Sequence, residues 1–120
     1  MKPNKENIRL WVEALRSGKY TQGRGRLKTD VGFCCLGVAC DISGLSTWEQ
    51  AEKNEGKVYH YDHAVAILPL AVREWLGIDS LFVSISNGGQ YWDLAAMNDG
   101  GKKFGEIADL IEKEYLSEDK

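Results

Sequence analysis

The 120-residue chain reads as an α+β fold, a single compact domain (residues 1–120) of about four helices with a small antiparallel sheet, and three features of the sequence lead there. Apolar residues recur at helical spacing near both ends, in "NIRLWVEAL" and "FGEIADLIEKEY". Two short runs, "KVYHY" and "LFVSIS", carry the alternation and the β-branched and aromatic residues of strands. Glycine-rich segments between them punctuate the chain too often for helices alone.

The elements follow in order. In "NKENIRLWVEALRSGKY", Asn4 can cap a helix, Glu6 suits its positive end, and Ile8, Trp11, Val12 and Leu15 form its apolar stripe, with Gly18 as a left-handed stop. Glycine density in "YTQGRGRLKTDVG" forbids a helix and implies extended backbone with tight turns. A short helix of small residues is expected from Cys34 to about Ile42, ended by Ser43-Gly44. Asn54-Glu55-Gly56 has the composition of a turn before the strand "KVYHY". Pro69 suits the first turn of a helix whose Leu70, Val72, Trp75 and Leu76 face inward and whose stop is Gly77. "LFVSIS" and "QYWDL" flank Asn87-Gly88-Gly89 as hairpin partners, and "AAMNDGG" is expected to be a loop or broken turn. In the last helix Phe104, Ile107, Ala108, Ile111 and Tyr115 share one stripe, with Glu106, Asp109, Glu112 and Glu114 outward.

Composition narrows the function classes. A net charge of −3 disfavours wrapping DNA, and no apolar run approaches a membrane span, so neither DNA nor membrane is expected as a partner. "MKPNKEN" leads straight into a charged amphipathic segment without the apolar stretch of a secretion signal. Three cysteines, an odd number, fit reduced thiols and a cytoplasmic location better than a secreted disulfide framework.

Three clusters carry possible chemistry. Cys34, after a glycine and at the start of a helix, is placed for thiolate stabilisation, and Gln22, Cys34, His63 and Asn98 occur in the order of a thiol hydrolase. The Cys34–His63 separation is too short for the papain arrangement, however, and apolar neighbours favour inert, buried thiols. Cys34, Cys35 and Cys40 with His60 and His63 have nominal zinc-ligand chemistry, but no C-x-x-C pair exists, so neither metal nor cofactor is expected. "QGRGRLK" is the strongest feature. Arg24, Arg26 and Lys28 would share one face of an extended strand and suit a phosphate or carboxylate, although a charged, solvated strand edge uses the same residues. The segment matches neither nucleotide-binding glycine motif. Trp11 and Trp75 belong to core stripes, which leaves Trp48, Trp92, Tyr91, Tyr59 and Tyr61 as candidate stacking surfaces.

The blocks "SGKYTQGRGRL", "FCCLGVACD", "LPLAVREWLGI" and "MNDGGKKFGEIADLIE" resemble those of a family of small uncharacterised proteins from tailed phages, prophages and their bacterial hosts. The resemblance spans most of the chain and carries no reaction. It implies an accessory factor working in a bacterial host cytosol. Lys103 stands where relatives often place a capping serine or threonine, which weakens that cap.

Together these features lead to an expected accessory, anti-defence protein that is not an enzyme and sequesters a small phosphate-bearing, nucleotide-like signal, with a homo-oligomer as one possible form. Arg24, Arg26 and Lys28 would meet phosphates, Gln22, Asn98 and Asp99 would bond base or ribose, and Trp92 would stack. The alternatives are an inhibitor docking on a host protein through an aromatic patch at Trp48 and Tyr59–Tyr61, and a thiol hydrolase at Cys34.

Overall fold

Asn4 opens the first helix: its side chain accepts the Asn7 amide at 3.0 Å, and α1 (Lys5–Arg16) then buries Ile8, Trp11, Val12 and Leu15. The computed structural model describes residues 1–50, 57–87 and 89–117. Its helices continue with α2 (Cys35–Ser43), α3 (Leu70–Leu76), α4 (Leu94–Asp99) and α5 (Phe104–Ile111), the last running into a wider π-type turn over Glu112–Leu116. Strands β1 (Lys28–Thr29), β2 (Trp48–Gln50) and β3 (Val58–Tyr61) form one antiparallel sheet in the order β1-β3-β2. Strands β4 (Ser84–Asn87) and β5 (Gln90–Asp93) form a separate antiparallel hairpin. The fold is α+β, with five helices among the described residues. None of them is long and apolar enough to cross a membrane.

Helix α2 is the centre of the core. Cys35 to Cys40 are all buried along it, because residues this small let neighbours approach from every side. Gly37 shows how closely they approach: a Cβ there would meet the carbonyl oxygen of Leu27, so the backbone after the glycine-rich segment lies directly on the helix. The Trp11 indole N–H donates to the Cys35 carbonyl at 2.9 Å and joins α1 to α2. Ile107, Ala108 and Ile111 of α5 and Val72 and Leu76 of α3 complete one continuous apolar cluster.

Several expectations change. "AAMNDGG" is not a loop: Asp93 accepts the Ala96 amide at 2.7 Å and caps α4, whose Leu94 and Asn98 are buried. Two anchor residues in six give too short an apolar pattern to reveal a helix by periodicity. Leu70 opens α3 but is 54% exposed, so the inward stripe there is Val72 and Leu76 with Trp75 half-buried. The glycine-rich segment is not one long strand. Gly25 adopts φ +80°, and regular pairing begins only at Lys28, so Arg24, Arg26 and Lys28 do not alternate on a common face. Tyr61 of the expected aromatic patch is only 1% exposed. The expected turn at Asn54-Glu55-Gly56 lies outside the described residues, as does Gly88 of the hairpin turn.

Candidate functional site

The glycine-rich segment and the α4–α5 connection are clasped together by three polar side chains. Asn98, fully buried on α4, accepts from Gln22 Nε2 at 2.8 Å and from the Cys35 amide at 3.2 Å, and donates to the Gly23 carbonyl at 2.8 Å. Gln22 Nε2 also donates to the Lys102 carbonyl at 2.8 Å, and its Oε1 accepts the Phe104 amide at 3.1 Å. That last bond satisfies the first amide of α5, at an end where the Lys103 ammonium has no acceptor to offer the amides that follow. The remaining help at this end is Glu106, whose Oε1 accepts the Lys103 amide at 2.9 Å. Asp99 Oδ1 accepts the Gly25 amide at 2.8 Å and fixes the turn beside Arg24.

In front of this clasp lies an open cleft of about 470 Å³, lined by Trp92, Ala96, Met97, Gly100, Gly101, Lys102 and Glu106. Its size falls within the range of small-molecule sites. Trp92 is 45% exposed on β5, and so offers an aromatic surface that the core does not use. Gly101 adopts φ +107°, and a Cβ there would lie 3.6 Å from Arg24 Nη2, which puts the guanidinium against the cleft wall. The backbone under both cations is fixed: the Lys102 amide donates to Met97 O at 3.0 Å and its carbonyl accepts from Gln22, while Asp99 holds Gly25 next to Arg24.

The other expected residues lie elsewhere. Arg26 is exposed and turns back, Nη1 donating to the Gly25 carbonyl at 2.9 Å. Lys28 points its ammonium at the rings of Phe33, Trp48 and Tyr59, with 4.9 Å to the Tyr59 centroid. All three cysteines are free and buried. Burial pushes the Cys34 thiol up to about 11 despite its place at the start of α2, and it raises Cys35 and Cys40 as well. A thiol held protonated is a poor nucleophile. His63 stacks on His60 with ring centroids 5.7 Å apart, and His60 Nε2 lies 3.7 Å from Glu49 Oε1. Among the described residues, no three His, Cys, Asp or Glu side chains are grouped to hold a metal ion.

Of the expected ligand contacts, Trp92 lines the cleft, whereas Asn98, expected on a base or ribose, is fully buried with its amide bonded inside the protein, and Gln22 and Asp99 are engaged in the same clasp. The cleft residues Lys102, Met97, Gly100 and Gly101 are not among those the sequence points to. The usable signal was the cation directly after two glycines, in a segment read as a loop. Neither a curated protein nor a solved structure matches the chain. A family model described as a domain of unknown function (DUF8296) matches residues 3–115, and the chain belongs to that family.

Proposed function

We propose that the chain binds and sequesters a small phosphate-bearing, nucleotide-like ligand without chemistry, in the cleft between β5 and the α4–α5 connection. The observation that carries this reading is the half-exposed Trp92 walling a concave site that also holds Lys102, with the Arg24 guanidinium beside it. An indole accepts the face of any base, and Lys102 with the neighbouring Arg24 answers a phosphate, the Glu106 carboxylate in the same lining offsetting one of the two charges. Gln22, Asn98 and Asp99 serve as the frame that positions the cations, since their hydrogen bonds already join the two loops. Arg26 turns back onto the Gly25 carbonyl and Lys28 lies on other elements, so neither belongs to this site. The reading of the protein as a phage-type accessory factor in a bacterial cytosol rests on the resemblance of its four sequence blocks and is part of the same proposal.

Calorimetric titration with a panel of linear and cyclic nucleotides at low salt tests it. Trp92→Ala should weaken binding by about tenfold or more, from the loss of one stacked base. Arg24→Ala with Lys102→Ala should remove measurable binding while the circular dichroism spectrum is kept. Silence across the panel, or affinities unchanged in both variants, overturns the proposal. A second reading, docking on a host protein, draws on Tyr91 at 80% and Phe82 at 40% exposure in and beside the β4–β5 hairpin. A stoichiometric protein partner recovered from bacterial lysate, lost on Tyr91→Ala, with no nucleotide bound, would favour it.

A further inference from the structure

Lys28 belongs to none of the machinery above, yet its charge is placed with care. Its ammonium lies 5.3 Å from the Phe33 ring centroid, 5.4 Å from Trp48 and 4.9 Å from Tyr59. The sheet produces this arrangement: Lys28 pairs with Tyr59 across β1–β3 and bridges to Phe33, and Trp48 packs edge-on against Phe33 with centroids 5.9 Å apart. Ring faces attract a cation without neutralising it. Lys28 forms no ion pair among the described residues, and there its charge is met by ring faces rather than by a carboxylate.

That charge faces a concavity of about 420 Å³ on the β1 side of the sheet. Lys19 supplies a second ammonium there, and Thr21 and Thr29 supply hydroxyls. Thr29 Oγ1 already accepts the Val31 amide at 3.2 Å, which leaves its hydrogen free to donate outward. Phe33 and Tyr59 supply an apolar part of a lining that is otherwise polar. Asp30 on the rim offsets one of the two cations, so the net charge suits one negative charge rather than two. We infer that this concavity is a second binding site, for a small carboxylate-bearing ligand with an apolar or aromatic body, in which Lys28 and the threonine hydroxyls take the carboxylate and the Phe33 and Tyr59 rings take the body.

The test is a titration of the full-length ¹⁵N-labelled protein with benzoate at fixed ionic strength, following the amides of Thr21, Thr29 and Gly32. Saturable shifts are expected with benzoate but not with uncharged benzamide. Lys28→Met should weaken benzoate by about tenfold or more, the loss of a charge-assisted contact, whereas Lys28→Arg and Trp92→Ala should leave it within about threefold. Should Lys28→Met fail to fold, the exposed Lys19→Met decides instead, with an expected weakening of about threefold or more. The inference is overturned by shifts that do not saturate, by equal response to benzamide, or by unchanged affinity in the folded lysine variants. Inorganic phosphate that outcompetes benzoate at the same amides overturns the carboxylate class.

Discussion

Asn98→Ala is the sharpest test of the clasp. The substitution removes a fully buried amide and strands two backbone groups, the Cys35 N–H and the Gly23 carbonyl, that have it as their partner. The Gln22 amide loses one acceptor but keeps the Lys102 carbonyl. An orphaned buried group costs about 1–3 kcal/mol, so two of them predict a loss of roughly 4 kcal/mol. Unfolding entropy near 2.1 cal/mol/K per residue makes that a fall of about 16 °C in Tm for a chain of this length. Scanning calorimetry measures it directly. Gln22→Ala should cost less, about 1–3 kcal/mol, because Gln22 is only half-buried and water can reach the groups it leaves. The two residues share a hydrogen bond, so the double variant should lose about 1 kcal/mol less than the sum of the singles. A melting point for Asn98→Ala within about 3 °C of the parent, or strict additivity in the cycle, would refute the clasp as the link between the two loops.

Two further outcomes follow from other parts of the molecule. The Cys34 thiol rises from 9.0 to about 11, chiefly through burial, so from pH 9 upward the unfolded chain loses its proton first. Stability is therefore full below pH 9 and falls as pH rises towards 11, by at most about 1.4 kcal/mol per pH unit for this thiol, with Cys35 and Cys40 adding in the same direction. Urea titrations at pH 8, 9.5 and 10.5 read the slope, and iodoacetamide at pH 8 should label native Cys34 about 100-fold more slowly than the denatured chain. Lys103→Ser would place an acceptor at the start of α5, where only Glu106 and Gln22 now assist, and should stabilise by about 0.5–1 kcal/mol. An unchanged or lower melting point would refute the added cap.

What the sequence disclosed was whatever local chemistry decides. Asn4, Gly18, Gly44 and Gly77 mark helix ends by capping and left-handed geometry that only a few residue types supply, and each sits at a helix terminus as expected. The stripes of α1 and α5 are long enough to show a period. Helix α4 was hidden because six residues make less than two turns, and because its identity depends on Asp93 turning back to cap it. The fate of the basic residues was hidden for a different reason. Gly25, at φ +80°, breaks the alternation that would have put them on one face, and its amide is held by Asp99, 74 positions away. No local pattern encodes that contact. The Gln22 bond to the Phe104 amide at the start of α5 is equally non-local.

Under the proposed binding function, the clasp is what would let so small a fold hold a site on loops. Loops pay for ligand contact with the entropy of ordering themselves, and a cleft built from two of them would bind weakly if either were loose. Here the ordering is done during folding. Asn98 is inaccessible to any ligand, yet it holds Gln22, which fixes the Lys102 carbonyl, while its neighbour Asp99 fixes Gly25 beside Arg24. The backbone carrying Lys102 and Arg24 is thus held through a buried amide and its neighbour. Interior polarity of this kind contributes little net stability when satisfied and costs much when broken. Its value lies in specifying one arrangement of the two loops, and that arrangement puts Lys102 in the same cleft as Trp92 and leaves the Arg24 guanidinium next to Gly101 of its lining.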